Sequence, residues 1–142
     1  MTTVQQLLKE KGRGVFTVGP GETVFDAIRK MAEQNVGSLV VCEGQKPVGI
    51  ITERHYARNV FLKGRASPST LVRDIMETQV LYATPDQTVD ECMAVMSDKR
   101  VRHLPVIDQD KLIGIISIGD LVKNIIDDQK FTIEQLTHFI SP

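Results

Sequence analysis

Apolar positions along the chain alternate between two periods. Val24, Ile28 and Met31 recur at helical spacing, as do Val89, Met93 and Met96. Dense β-branched runs follow each: Ser38–Cys42 then Val48–Thr52, and His103–Ile107 then Leu112–Ser117. Between the paired runs lie turn signals, Glu43-Gly44-Gln45-Lys46-Pro47 and Asp108-Gln109-Asp110-Lys111. Each helix is preceded by a short extended stretch, Val15–Val18 or Val80–Ala83, and a further helix is expected near Glu53 and near Gly119-Asp120. Thr23 and Thr88 stand three residues before an acid, Asp26 or Glu91, at the start of the first helix, the pattern of an N-cap.

The two sets of elements are one unit repeated. Pro20–His55 lies over Pro85–Asp120 without a gap, placing Thr23 on Thr88, Met31 on Met96, Val41 on Val106 and Gly49-Ile50-Ile51-Thr52 on Gly114-Ile115-Ile116-Ser117. Each copy reads β-α-β-β-α, an α/β (α+β) architecture. Val4-Gln5-Gln6-Leu7-Leu8 opens the first copy and Val72-Arg73-Asp74-Ile75-Met76 the second. The first copy carries three extra residues after its opening, around Lys11-Gly12-Arg13-Gly14. The expected organisation is a first unit over 4–62, a linker over 63–71, a second unit over 72–130, and a C-terminal amphipathic helix over 131–142 carrying Phe131, Ile133, Leu136, Phe139 and Ile140. One copy has too little core to stand alone, so the two are expected to pack together and leave clefts between them.

Composition narrows the chemistry. In 142 residues, 17 basic against 18 acidic side chains give a net charge of -1, which offers nothing to nucleic acid or an anionic membrane. Aromatic content is 5% with no Trp, too little for base-stacking platforms. Cys42 and Cys92 sit in apolar stretches and read as small hydrophobes rather than a disulfide or metal set. No apolar run reaches the ~20 residues of a membrane span, and no signal-peptide core precedes Gly14, so a cytoplasmic location is expected. There is no nucleophile elbow, HExxH or P-loop; Lys11-Gly12-Arg13-Gly14 lacks the strand–glycine–helix context of a phosphate loop. Catalysis and a bound metal are not expected.

The most informative segment is Gly-Ile-Ile-Ser-Ile-Gly-Asp, Gly114–Asp120. A strand ends at Ser117, and Asp120 falls in the first turn of the next helix. Ser117 and the free N–H groups there suit an anionic oxygen, and Asp120 offers two acceptors to the hydroxyl pair of a ribose. Alternatively, it is an ordinary helix start with an acid beside the dipole.

With the repeat, the opening Val-Arg-Asp-Ile-Met, the Arg-His-Leu-Pro-Val run at Arg102–Val106 and this segment, the chain resembles a tandem CBS-domain pair over nearly its whole length. That resemblance implies two half-domains in pseudo-twofold arrangement, with clefts that bind adenosine compounds such as AMP, ADP, ATP, NAD or S-adenosylmethionine. It implies a regulatory sensor acting in trans on a target protein, needing no cofactor and forming a homodimer through CBS pairs. The alternative is a ligand-independent dimerisation or docking scaffold. Carried over by residue, the main site would comprise Ser117 and Asp120, with Gly19, Pro20, Val36 and Gly37 from the facing half, Val36 and Ile115 flanking adenine, and Arg102 on phosphate. The second cleft departs from the pattern because His55 stands where the acid belongs. It would be lined by Ile50, Thr52, Arg54 and His55 facing Val80, Leu81, Val101, Arg102 and His103, and would favour an anionic group, more strongly as His55 protonates below about pH 6.5.

Overall fold

A computed structural model describes residues 1–12 and 14–140. Arg13, in the first copy's extra segment, and residues 141–142 of the expected tail lie outside the described residues. The elements run α1 (Val4–Lys11), β1 (Thr17–Val18), α2 (Val24–Gln34), β2 (Ser38–Glu43), β3 (Lys46–Thr52), α3 (Glu53–Tyr56, continued by a π-helical turn Ala57–Phe61), α4 (Val72–Ile75), α5 (Val89–Lys99), β4 (His103–Asp108), β5 (Lys111–Ser117) and α6 (Ile118–Ile140).

Local chemistry repeats with the sequence. Thr23 Oγ1 accepts from Asp26 N at 3.2 Å to start α2, and Thr88 Oγ1 accepts from Glu91 N at 3.1 Å to start α5. Both helices end on a left-handed residue, Asn35 at φ 55° and Arg100 at φ 56°. β2 and β3 pair antiparallel from Ser38–Thr52 to Glu43–Lys46, and β4 and β5 from His103–Ser117 to Asp108–Lys111. Both hairpins shift register at equivalent places, Val41/Cys42 and Val106/Ile107. The first strands are shorter than expected. β1 covers only Thr17–Val18, parallel to β2, and in the second copy only Ala83 bridges to Val106.

The openings of the two copies do not pack where they stand in the chain. α1 lies in the core of the second half: Val4, Leu7 and Leu8 join Ala83, Val89, Cys92, Met96, Leu104, Val106, Ile116 and Leu121. α4 lies in the core of the first half, where Val72 and Ile75 meet Val18, Val24, Met31, Leu39, Val41 and Ile51. Backbone bonds fix both crossings. Val4 N donates to Gln87 O and Val89 N to Thr2 O, while Val72 N donates to Glu22 O and Val24 N to Thr70 O. The reason is physical. A β-α-β-β unit leaves one side of its sheet uncovered, and each buried Val or Leu that covers it contributes about 1.5–3 kcal/mol.

The glycines of the two Gly-Ile-Ile motifs make room for these crossings. A Cβ on Gly114 would stand 2.8 Å from Leu8 Cδ2, and one on Gly49 would stand 2.8 Å from the Glu77 carbonyl and 2.9 Å from Met76 Sδ. The tail is also not a separate element. Residues 131–140 are the second half of α6, because nothing between Ile118 and Ile140 breaks the helix. No helix among the described residues is long and apolar enough to cross a membrane.

Gly114→Ala meets a side chain that can shift, whereas Gly49→Ala also meets backbone. Both should destabilise, by about 1–3 kcal/mol for overpacking, with Gly49→Ala the worse. Urea unfolding midpoints of the two variants check the order.

Candidate functional site

Each half places one polar residue pair at the junction of its last strand and the following helix. In the second half, Asp120 N donates to Ser117 Oγ at 3.1 Å and Ser117 N donates back to Asp120 Oδ2 at 2.8 Å. In the first half, His55 N donates to Thr52 Oγ1 at 3.2 Å and Thr52 N donates back to His55 Nδ1 at 3.1 Å. Both are reciprocal caps on a helix start, so His55 replaces the acid without loss of local structure. A backbone N–H can only donate, so His55 Nδ1 is an acceptor and the proton of the neutral ring sits on Nε2. His55 therefore offers a ligand one donor, where Asp120 offers acceptors.

Two cavities flank these caps. The larger, about 500 Å³, is bounded by Ile50, Thr52, Arg54 and His55 of the first half and by Val80, Leu81, Val101, Arg102 and His103 of the second. Gly37, Glu53, Glu77, Gln79 and Arg100 complete its wall. The structure thus brings together all the residues grouped in the second cleft. Three arginines against two glutamates leave this cavity with an excess of positive charge. The smaller cavity, about 340 Å³, is lined by Val36, Gly37, Ile115 and Ser117 together with Lys11, Gly14, Val15, Phe16, Ser38 and His103. Gly37 and His103 belong to both walls, so the cavities adjoin.

The residues grouped in the main site are therefore divided. Arg102 lines the larger cavity. Gly19, Pro20 and Asp120 line neither; Gly19 N donates to the Glu22 carboxylate, and Pro20 O accepts from Arg73 N, holding the start of α4. The chain of the first half meets the smaller cavity earlier, at Gly14–Phe16, before β1 begins rather than beyond its end.

Asp120 is engaged by a residue that lies far outside its own motif. Lys11, the last residue of α1, donates from Nζ to Asp120 Oδ2 at 2.6 Å and to Ile115 O at 2.7 Å. It reaches them because α1 is docked in the second half. The one signal for it in the sequence is the three-residue excess of the first copy at that point. Burial pushes the Asp120 carboxyl upward, but the Lys11 hydrogen bond, the Ser117 N–H and the Lys11 charge together outweigh it, and its pKa lies below the ordinary 3.8. Oδ1 makes no hydrogen bond among the described residues.

The histidines are displaced by burial. It lowers the His55 pKa below 6.5; Glu77 opposes this, and Arg54 and Arg58 reinforce it. Burial likewise lowers His103, with Lys11 and Arg102 reinforcing and Asp120 opposing. Protonation of His55 is thus expected at a lower pH than the sequence suggests, and on Nδ1 it would break the Thr52 cap. The cysteines are thiols held by burial, with Cys92 raised to about 11. Among the described residues, no group of three His, Cys, Asp or Glu side chains could hold a metal ion.

Comparison with known proteins agrees with the repeat. The CBS domain family model matches residues 11–61 and 72–127. The chain is 38% identical over 148 residues to the mitochondrial CBS domain-containing protein CBSX3 of Arabidopsis thaliana, covering 98% of this chain and 72% of that protein. It is 33% identical over 110 residues to the CBS domain-containing protein YhcV of Bacillus subtilis, covering 78% of each. A solved protein with CBS domains from Burkholderia ambifaria MC40-6 superposes with a TM-score of 0.84 at 53% identity, covering 90% of this chain and 96% of that one.

The Lys11–Asp120 pair has a signature in acid. A carboxyl whose folded pKa lies below its unfolded value contributes stability that is complete above the unfolded value and is lost as pH falls through the folded one. Unfolding free energy should therefore decline below about pH 4, and Lys11→Met should shrink that decline. Denaturant titrations at pH 7 and pH 3 on both proteins measure it.

Proposed function

Because the chain belongs to the CBS-domain family, whose members are commonly regulatory and signal-transduction modules, we propose that it is an adenosine-nucleotide sensor acting in trans on a target protein. The ribose is read at Ser117 and Asp120. One observation carries this reading: Ser117 and Lys11, the two partners of Asp120 Oδ2, both line a cavity walled by Val36, Phe16 and Ile115, and Asp120 Oδ1, set back from that lining, makes no hydrogen bond among the described residues. A fixed carboxylate oxygen accepts from sugar hydroxyls, and the apolar wall suits a base. Lys11 Nζ has three donors and spends two on Asp120 and Ile115, so a third remains for an anionic oxygen.

The adjoining cavity has a different preference. His55 supplies one donor instead of a carboxylate, and Arg54, Arg100 and Arg102 supply charge-assisted hydrogen bonds, so it favours a phosphate-bearing group over a second ribose. Each cavity draws on both halves. A ligand therefore biases their relative placement, to the extent that it binds one arrangement more tightly than another.

Calorimetry and thermal shift with AMP, ATP, NAD and S-adenosylmethionine test the reading. A ligand at a hundred times its Kd should add about 2.7 kcal/mol to stability, and Asp120→Ala should weaken it by more than about tenfold. His55→Asp keeps the cap but adds acceptors, and should raise the stoichiometry of ribonucleotide binding from one to two. No shift with any of these compounds would leave the scaffold reading.

A further inference from the structure

The smaller cavity is lined by the two partners of Asp120 and not by Asp120 itself. Oδ2 is doubly committed, to Lys11 Nζ and to Ser117 N, and Oδ1 alone is free of hydrogen bonds among the described residues. A carboxylate that grips both hydroxyls of a sugar needs acceptor capacity on both oxygens. Lys11 occupies part of that capacity, and with it the carbonyl oxygen of Ile115.

Lys11 is able to leave. Its backbone is fixed, because it ends α1, whose Val4, Leu7 and Leu8 are buried in the core of the second half. Its ammonium is not. The Lys11 and Asp120 side chains keep 31% and 25% of their surface in water, and an ion pair so open is weakly held. A flexible four-carbon stem swings Nζ about the anchored Cα. Among the described residues lining the cavity, Lys11 is also the sole charged one at neutral pH. His103 stays neutral there, since burial, Lys11 and Arg102 lower its pKa against the pull of Asp120.

The charge of the ligand decides whether Lys11 moves. A neutral nucleoside that took Asp120 Oδ2 would strand the ammonium without its counter-charge. A phosphate offers a replacement: it meets the third Nζ donor first, and its charged oxygens then compete with the carboxylate for the same ammonium. Granted that the ribose is read at Asp120, we propose that Lys11 is a charge-selective latch. It is closed on Asp120 in the free chain and drawn open by the anionic group of a ligand, so nucleoside phosphates are admitted and uncharged nucleosides are held off. Among the described residues the other cleft has no such latch. Gln79, seven residues past Val72 as Lys11 is seven past Val4, stands at its wall and carries no charge.

Isothermal calorimetry of the full chain with AMP and with adenosine tests the latch. The wild-type chain should favour AMP. Lys11→Met should weaken AMP and tighten adenosine, so that the ratio of their affinities falls at least about tenfold. Lys11→Arg should keep the preference. Both variants should keep the fold, because Lys11 is exposed and belongs to neither core. Adenosine that gains nothing from Lys11→Met, or AMP that loses nothing, would overturn the latch while leaving the ribose reading in place. Failure of the ribose reading looks different: AMP then binds Asp120→Ala as tightly as the wild-type chain, or binds neither, and the latch falls with it.

Discussion

The structure depends on a mutual exchange. Each β-α-β-β unit lacks a cover for one side of its sheet, and the cover is supplied by the segment that opens the other unit. Val4, Leu7 and Leu8 close the second core, and Val72 and Ile75 close the first. The two units are thus neither separate domains nor a single undivided core. Removing either opening segment would expose the core of the half it does not precede. The likeness of form between the halves follows from this, since both crossings use the same backbone bonds and the same glycine gaps.

The exchange also builds the clefts and makes them unequal. α1 ends in Lys11, which the crossing delivers to Asp120. At the corresponding junction of the first half, Ile50 pairs through its backbone with Glu77, just beyond α4, and the cap is closed by a neutral imidazole. One cleft therefore presents Ser117 and a lysine tied to the Asp120 carboxylate beside apolar walls. The other presents a histidine donor among arginines. Exchange of a single capping residue and one crossing side chain is what sets the two junctions of one repeated fold apart.

Much of the site is legible in the amino-acid sequence. The equivalence of Ser117–Asp120 with Thr52–His55 follows from the gapless repeat, and the caps form as that spacing requires. The residues grouped around His55 do meet at one cavity. The other grouping is legible only in part. Val36, Gly37, Ile115 and Ser117 share a cavity, but Asp120 is set back from its lining, Arg102 opens onto its neighbour, Gly19 bonds Glu22 and Pro20 anchors α4. Those two residues precede a helix in a motif that reads like a ligand loop, and nothing local distinguishes a loop that holds a ligand from one that holds a crossing segment.

From the sequence alone come the repeat, the strand pairs, the helix starts and the substitution of His55 for an acid, because periodicity, capping and turn chemistry act over a few residues. Tertiary structure alone decided which half each opening segment would cover, that Lys11 would grip Asp120 from 109 positions away, and that the tail would extend α6 rather than fold separately. Those outcomes rest on where unsatisfied apolar faces and charges meet in space. Local pattern carries no record of such meetings.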